Sequence, residues 1–428
     1  MPAANLVYNG GMPLHSSVDV AIVGAGAAGI GAAIAARDDG LCFVVVEAMD
    51  RIGGRAFTDT TSIGVPWDHG CHWLHSASIN PLVQVADALG LVYERPNDDV
   101  TSFDGRWASE TGRRELIDHF NATVARGAAI GASEDVALSA VMARGTPYDG
   151  AVASWLVHAY AHPAEHISTV DLARYTAAST DEDWPLRDGY GTLFARLAAG
   201  LPIVTGAPVT KIAWGGDGAI LTTASGTIRA RAVVITASTN VLADEVIAFD
   251  PPLPLWKREA LAAAPLGAVN KIAIRFSGDV LRGDAPNRFA FTSAGDGTAY
   301  WLRPFDTPVA IALLGGPLCR DLARQGHEAS LEYVREQLAS MFGSAIRSSV
   351  AAVGYAMWTD EPFVRGSYAG MLPGQGHRRD DLALPVGDTL FFAGEATVPD
   401  HFATAHGAYA SGRVAIDRIL RSRAFVHR

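Results

Sequence analysis

The feature that most constrains this chain is a glycine-rich turn near its N-terminus. Residues 24–29 (GAGAAG) directly follow a short apolar run, residues 18–23, and lead into a stretch of helical composition. This order predicts a buried strand, a tight turn and a helix. Gly24 permits the turn, Gly26 lets the backbone approach a pyrophosphate, and Gly29 lets helix and strand pack closely. The helix N-terminus adds free N–H groups and a partial positive charge, so the unit is suited to bind a dinucleotide.

An acidic residue at the end of the next apolar run supports this interpretation. Residues 41–46 form that run, and Glu47 follows it, 18 residues after Gly29. A carboxylate at this spacing can accept hydrogen bonds from both hydroxyls of an adenosine ribose. A chain with 44 glycines can match the turn pattern by chance. The strand, the helix and Glu47 together favour the dinucleotide site, with NAD or FAD as the ligand, over a plain turn.

The residues after Glu47 carry a more specific pattern. Residues 47–55 (EAMDRIGGR) are similar to the ExxxRxGGR signature of the flavin amine oxidase superfamily. An isolated Arg-Gly-Gly-Arg would usually be only a basic loop. The resemblance implies that the dinucleotide is FAD and that Gly54 and Arg55 lie along its pyrophosphate and ribityl chain.

The C-terminal part resembles the flavin-binding module of the same superfamily. Its matching stretches are 358–362 (WTDEP), 366–369 (GSYA), 391–397 (FFAGEAT) and 406–412 (HGAYASG). Residues 391–393 are a predicted strand that ends at Glu395, whose carboxylate can bind a ribityl hydroxyl. A predicted helix starts near Thr404. The resemblance implies that the Ala405 backbone and the helix dipole face the flavin N1–C2=O edge and stabilise charge there.

Motifs and resemblance together predict the cofactor site. Its predicted residues are Gly24, Gly26, Ala28, Gly29, Glu47, Ala48, Arg51, Gly54, Arg55, Gly70, Cys71, His72, Trp73, Val209, Trp358, Gly394, Glu395, Thr404 and Ala405. Monoamine oxidases attach FAD through a cysteine at the position that matches Ser367, so the resemblance implies a non-covalent flavin here. No metal site is predicted.

Two further stretches point to the reacting face. Residues 67–75 (WDHGCHWLH) are similar to the GxHWxHG stretch of polyamine oxidases, which implies that His72 lies in the active site. For His75 a packed core position is equally open. Lys271 stands in the stretch 267–276 (GAVNKIAIRF). A single strand lysine usually faces solvent, but this stretch resembles the family strand whose lysine holds a water against flavin N5. Such a cation would assist the reaction with dioxygen or orient water for imine hydrolysis.

Aromatic residues complete the predicted substrate side. Tyr368 matches an aromatic position of the family and is predicted as catalytic together with Lys271 and His72. Trp73, Phe402 and Tyr368 are the predicted substrate contacts, with Phe402 the weaker candidate. The acidic stretch 181–183 (DED) either recognises a distal ammonium of a polyamine or is a solvated loop, which is the commoner case.

Composition limits the partners. A net charge of -11 argues against nucleic acid and anionic membranes, which attract basic surfaces. The cysteines at 42, 71 and 319 stand singly, which favours a reducing compartment. The first 18 residues lack the pattern of a signal peptide, and no stretch is apolar enough to span a bilayer. We therefore expect a cytoplasmic protein; the sequence leaves the oligomeric state open.

The predicted fold class is α/β, with a Rossmann-like FAD-binding domain of the glutathione-reductase type interleaved with a substrate domain of mixed sheet and helices. The FAD domain is assigned to 1–80, 185–265 and 350–428, and the substrate domain to 81–184 and 266–349. The insert 81–184 is predicted to be mostly helical, because it lacks the alternation of apolar and polar residues that is typical of strands. Strands are predicted near 203–204, 209–214, 231–236, 268–276 and 310–314, and helices over 81–89, 152–160 and 328–341.

The predicted function is an FAD-dependent amine oxidase similar to polyamine oxidases. Such an enzyme takes a hydride from the carbon next to a substrate nitrogen, and the imine then hydrolyses to an aldehyde or ketone. Dioxygen reoxidises the flavin and gives hydrogen peroxide. The alternatives are a monoamine oxidase, a flavin dehydrogenase or desaturase with another electron acceptor, and a flavin-binding protein without turnover.

Overall fold

The computed structural model describes residues 17–95, 99–216, 218–281, 286–422 and 425. Its strands are β1 (Ser17–Val23), β2 (Phe43–Val46), β3 (Thr58–Asp59), β4 (Trp67–Asp68), β5 (Trp73–Leu74), β6 (Val100–Phe103), β7 (Trp184–Pro185), β8 (Ile203–Val204), β9 (Val209–Gly215), β10 (Gly218–Thr223), β11 (Gly226–Ile235), β12 (Ala248–Asp250), β13 (Val269–Phe276), β14 (Arg288–Thr292), β15 (Thr298–Leu302), β16 (Val309–Gly315), β17 (Val350–Ala356) and β18 (Leu390–Phe392). Its helices are α1 (Ala27–Asp38), α2 (Pro81–Ala88), α3 (Glu110–Gly131), α4 (Asp149–Tyr160), α5 (Thr169–Ala178), α6 (Tyr190–Leu197), α7 (Thr239–Ala243), α8 (Leu255–Ala263), α9 (Gly316–Gln325), α10 (His327–Phe342), α11 (Arg379–Ala383) and α12 (Ala405–Arg421).

The first sheet contains the first and the last strand of the described chain. Its strand order is β12-β9-β10-β11-β1-β2-β8, and β18 pairs with the C-terminal part of β11. Strands β1, β2, β8, β11 and β18 run parallel. Strand β1 is covered on both faces, since Val20 and Ile22 pack in one apolar cluster and Ala21 and Val23 in another. Strands of parallel sheets are covered on both faces, which explains why residues 18–23 are almost continuously apolar. The predicted strand, turn and helix are confirmed.

The second sheet has the order β17-β13-β16-β15-β14-β6 and is antiparallel except for the β14–β6 pair. Helices α3, α4 and α5 pack on one face, and α9 and α10 pack on the other. The predicted helices near 81–89, 152–160 and 328–341 are confirmed as α2, α4 and α10. The expectation of an insert without strands was wrong at β6. This short strand is stabilised by pairing with β14, almost two hundred residues further on, and periodicity within the segment cannot reveal such a partner.

The first and last long helices pack closely together behind the glycine-rich turn. A Cβ added to Gly31 of α1 would lie 2.2 Å from the carbonyl oxygen of Tyr409. A Cβ added to Gly412 of α12 would lie 1.9 Å from that of Ala28. The two backbones therefore touch at glycines, and this contact joins the N-terminal unit to the C-terminal segment.

The two sheets are also joined by a buried ion pair. Arg379 of α11 is fully buried, and its guanidinium binds the carboxylate of Asp171 on α5 through two nitrogens. Strand β17 pairs with β13 of the second sheet although 350–428 was assigned to the FAD domain. The domain division stays a prediction, and we now propose that its last boundary lies after Ala356. Within the described ranges, no helix is both long and apolar enough to cross a bilayer.

Candidate active site

The glycine-rich turn and the second glycine pair form one cradle. Gly26 precedes α1 without a side-chain cap, so the first N–H groups of the helix are left for a ligand. Gly26 forms a parallel bridge with Gly53. A Cβ on Gly54 would lie 3.3 Å from the Gly26 Cα, and the φ of Gly54 is +56°. Only glycine keeps this space open at the helix N-terminus, and the cradle therefore fits the diphosphate of a dinucleotide.

Glu47 lies beside this cradle at the end of β2. Its carboxylate is buried and accepts hydrogen bonds from the backbone N–H groups of Ala25 at 2.6 Å and Met49 at 2.8 Å. Burial raises the pKa of Glu47, and these hydrogen bonds oppose the rise. The two bonds fix the carboxylate next to the turn, as expected for a ribose acceptor.

An arginine and a glutamate join the two ends of the chain. The Arg55 guanidinium donates to the Ser367 carbonyl and, at 2.9 Å, to the Glu395 carboxylate. Glu395 also accepts from the backbone N–H groups of Ala369, at 3.2 Å, and Ala403, at 3.1 Å. The Ser367 hydroxyl is buried and has no hydrogen-bond partner among the described residues. This network lies where the resemblance implies the ribityl chain.

The other predicted cofactor residues surround the same region. Thr404 caps α12 by accepting from the N–H of Gly407 at 3.1 Å, so that this helix begins at Ala405. The Arg51 guanidinium lies 4.2 Å from the Phe57 ring centre and 5.7 Å from that of Trp358. The remaining predicted residues lie as follows: Gly24 in the turn, with φ +102°, Ala28 and Gly29 in α1, Ala48 after β2, Gly70 and Cys71 packed on the Arg55 carbonyl, Val209 at the start of β9, and Gly394 after β18.

Lys271 and His72, far apart in sequence, meet near the start of β13. The Lys271 ammonium is buried and donates to the carbonyl oxygens of Gly70 at 2.5 Å and Asp68 at 3.2 Å. Its Nζ lies 2.9 Å from His72 Nδ1. Because a protonated lysine can only donate, Nδ1 is the acceptor in this contact and the ring proton lies on Nε2. That Nε2 is buried and has no hydrogen-bond partner in the described part of the chain.

The electrostatics of this pair suit a cation beside a neutral imidazole. Burial lowers the pKa of Lys271 to about 8, against the opposing charge of Asp68. Burial and the Lys271 charge together lower the pKa of His72 well below its ordinary value. Lys271 is therefore mostly protonated at neutral pH, whereas His72 is neutral.

Aromatic rings line the space around this pair. The His72 ring stacks on Trp301 with centroids 5.0 Å apart and meets the Trp73 ring edge-on at 4.8 Å. Phe289 lies 4.9 Å from Trp73 and 6.0 Å from Trp301. The Tyr368 hydroxyl donates to a backbone carbonyl of α4, and burial raises the pKa of that phenol. We call Trp73, Phe289, Trp301 and Tyr368 the aromatic wall.

Three residues of the site were missed from the sequence: Phe289, Trp301 and His158. Trp301 stacks on His72, and His158 of α4 has a buried Nε2 that lacks a hydrogen-bond partner among the described residues. Burial, with a smaller contribution from Lys271, lowers the pKa of His158 to about 4, so the ring is neutral. All three come from segments without a motif. Phe289 and Trp301 lie on β14 and β15 of the second sheet, and His158 comes near Lys271 because α4 packs on that sheet. The available signal for His158 was a titratable side chain directly after the mostly apolar stretch 151–157.

Other predicted residues have different surroundings. The Phe402 ring is covered by the Arg379 guanidinium at 3.8 Å and lies 5.4 Å from Tyr175. His75 is not a simple packed core histidine, because its Nδ1 pairs with the Asp183 carboxylate at 2.9 Å. In the segment 181–183, Asp181 and Glu182 are exposed, as in a solvated loop, whereas Asp183 is the residue that pairs with His75. The catalytic, cofactor-binding and substrate-binding roles assigned to the other predicted residues stay predictions.

Comparisons with known proteins agree with this geometry. The family model for flavin containing amine oxidoreductases matches residues 112–420, and a model for an NAD(P)-binding Rossmann-like domain matches residues 22–89. The chain therefore belongs to the flavin-containing amine oxidoreductase family. It is an FAD-dependent oxidoreductase that acts on amines, as the motifs indicated. The predicted fold class and the FAD cofactor are likewise confirmed.

Several relatives are similar over nearly the whole chain. Polyamine oxidase 3 of Oryza sativa subsp. japonica is 30% identical, and the match covers 92% of this chain and 88% of the relative. Polyamine oxidase 2 of Arabidopsis thaliana is also 30% identical, covering 97% and 91%. A structure of putrescine oxidase bound to putrescine matches with a TM-score of 0.80 at 23% identity, covering 95% and 100% of the two chains. Cyclohexylamine oxidase from Brevibacterium oxydans matches with a TM-score of 0.81 at 22% identity, covering 95% and 99%.

Proposed function

We propose that this protein is an amine oxidase whose reacting face is built from Lys271, His72 and the aromatic wall, with FAD held non-covalently in the cradle. Bound in the cradle, FAD would supply the acceptor for a hydride from the carbon next to the substrate nitrogen, and its reoxidation by dioxygen would give hydrogen peroxide. The observation that carries the proposal is the buried Lys271 ammonium, 2.9 Å from the neutral His72 ring.

Each residue has a distinct task in this proposal. Lys271 uses its three protons on the Asp68 and Gly70 carbonyls and on His72 Nδ1, and it would exchange one of these bonds for a water that hydrolyses the imine. The buried cation also favours the development of negative charge during reoxidation by dioxygen. His72 fixes Lys271 through Nδ1 and offers the Nε2 proton to substrate or water. The aromatic wall excludes water and confines the substrate nitrogen.

Two features support the non-covalent flavin and the compartment. Ser367 stands where a covalent flavin would need a cysteine, and its unpartnered hydroxyl lies within the Arg55–Glu395 region. Cys42, Cys71 and Cys319 are unpaired, and Cys319 is buried. Because disulfides are rare in cytosolic proteins, these free cysteines support the cytoplasm as the proposed compartment.

Anaerobic mixing of the FAD-loaded protein with a panel of mono-, di- and polyamines tests the function. We expect the yellow absorbance to be lost with at least one amine, and peroxide to appear when air is admitted. Bleaching without peroxide would favour a dehydrogenase that uses another acceptor. A loaded protein that no amine bleaches would contradict the proposal and favour a flavin-binding protein without turnover.

A further inference from the structure

A small cavity lies between the helical insert and the C-terminal segment, and the chemistry above does not use it. Tyr160, Ile167, Leu172, Met371 and Phe402 are among the residues that line it, and we call it the insert cavity. The space that the centre of a water-sized sphere can occupy in it is about 10 Å³. A volume of this size holds one small molecule and is too small for the body of an amine.

The polar side chains in the lining are bound to partners outside the insert cavity. Ser168 Oγ donates to Asp135 at 2.5 Å and accepts from the N–H of Asp171 at 3.1 Å. Both oxygens of the Asp171 carboxylate accept from the Arg379 guanidinium. His162 donates through Nε2 to a backbone carbonyl at 3.2 Å, and burial lowers its pKa to about 4, so the ring is neutral. The surface that remains open to the cavity is almost entirely carbon, which favours an apolar molecule over water.

The insert cavity reaches from the protein surface toward the predicted flavin. The exposed His166 and the buried Ala369 both line it. Ala369 directly follows Tyr368 of the aromatic wall. The N–H groups of Ala369 and of Ala403, another lining residue, donate to the Glu395 carboxylate at 3.2 Å and 3.1 Å. The buried end therefore adjoins the network in which the ribityl chain is predicted to lie.

The buried end is rigid and lies apart from the reacting pair. The Phe402 ring is covered by the fully buried Arg379 guanidinium at 3.8 Å. Phe402 comes two residues before Thr404, the cap of α12, whose N-terminus is the predicted neighbour of the flavin N1–C2=O edge. Neither Lys271 nor His72 is among the described residues that line the cavity. An amine held at the aromatic wall would therefore leave the insert cavity open.

We propose that the insert cavity binds dioxygen and delivers it to the reduced flavin, while the amine occupies the reacting face. This inference rests on the proposed function, in which dioxygen is the electron acceptor. Dioxygen is small and apolar, so it enters a carbon-lined space without losing hydrogen bonds. In the reoxidation step two electrons and two protons pass from the reduced flavin to dioxygen, which becomes hydrogen peroxide.

Dioxygen itself is the probe in the first test. The oxidised, FAD-loaded protein is labelled at isoleucine and leucine methyl groups and equilibrated with dioxygen under pressure. Because dioxygen is paramagnetic, it accelerates the NMR relaxation of the methyl protons that it approaches. We expect the methyl groups of Ile167 and Leu172 to relax faster than those of Leu338, which is equally buried but lies on α10, on the other face of the second sheet. Equal relaxation at all three residues would overturn the inference.

The second test fills the insert cavity and measures the two half-reactions separately. In Leu172→Phe we expect the second-order rate constant for flavin reoxidation by dioxygen to fall about tenfold, while anaerobic flavin reduction by an amine stays within about twofold. Leu338→Phe adds the same volume to a position of equal burial and is the matched control, so both rates should stay as in the wild type. Ile167→Phe fills the same cavity from a different segment and replaces Leu172→Phe if that variant does not fold.

The outcomes separate this inference from the proposed function. Unchanged reoxidation in Leu172→Phe and Ile167→Phe would overturn the inference and leave the amine oxidase function intact. Equal slowing of both half-reactions would also overturn it, because the substitution would then have distorted the whole site. A loaded protein that no amine reduces would instead remove the proposed function, and the methyl relaxation would still show whether dioxygen enters the insert cavity.

Discussion

A lysine ammonium is costly to bury unless acceptors replace its hydration. Lys271 has such acceptors in the Asp68 and Gly70 carbonyls and in His72 Nδ1. The carbonyls lie at the end of β4 and in the loop after it, which also carries His72, so this short segment both solvates the cation and presents the imidazole. The motifs singled out Lys271 and His72 separately; their contact depends on how β13 meets this loop, which spacing along the chain does not encode.

Replacement of Lys271 tests its role at the residue scale. In Lys271→Met we expect flavin reduction or reoxidation to slow by about 100-fold, the size of a single general acid–base contribution. Because Lys271 loses its proton as the pH rises through about 8, the assisted step in the wild type should slow above that pH. Stopped-flow measurement of both half-reactions across pH checks this, and the variant should lack the inflection.

Lys211→Met is the matched control, since Lys211 is partly exposed and pairs with Asp250 on the outer side of the first sheet. It should leave both half-reactions unchanged. If Lys271→Met also leaves both rates unchanged, Lys271 has no part in the chemistry.

At the scale of elements, the contact between α1 and α12 decides whether the two ends of the chain can share one site. The turn pattern explains Gly24, Gly26 and Gly29, but not Gly31 or Gly412. Those two glycines are needed because the helix backbones approach each other, a feature of tertiary packing that the local pattern does not contain. Strands β1, β11 and β13 were predictable because their apolar runs are long and regular, whereas β6 needed a distant partner.

The close approach predicts an unusual response to alanine. In Gly412→Ala the better helix propensity would by itself add about 1 kcal/mol of stability. The new Cβ would however lie 1.9 Å from the Ala28 carbonyl oxygen, which is backbone and cannot move aside. We expect a net loss of about 1 to 3 kcal/mol, seen as a lower melting temperature.

Gly216→Ala is the control for this experiment, because a Cβ at Gly216 would meet no atom within 4 Å. Its melting temperature should stay within a degree or so of the wild type. A Gly412→Ala protein that melts at or above the wild-type temperature would mean that the two helices pack less tightly than described.

For the whole molecule, the two glycine motifs and the C-terminal stretches indicated the fold class and the cofactor, since they bind a ligand whose shape fixes their spacing. The middle of the chain was less predictable. Its residues carry no motif, and the aromatic wall combines Trp73 of β5, Phe289 and Trp301 of the second sheet, and Tyr368 of the C-terminal segment. No single stretch of the sequence contains these four residues, so one motif could not predict the aromatic wall.

In the proposed enzyme, residues from the N-terminal and C-terminal parts of the chain hold FAD without a covalent bond, and the flavin content of the purified protein tests this. The purified protein is incubated with excess FAD, desalted and precipitated with acid, and flavin is measured in pellet and supernatant. We predict a yellow protein with stoichiometric FAD that passes entirely into the supernatant. A desalted protein that stays colourless, or a pellet that retains the flavin, would contradict the account.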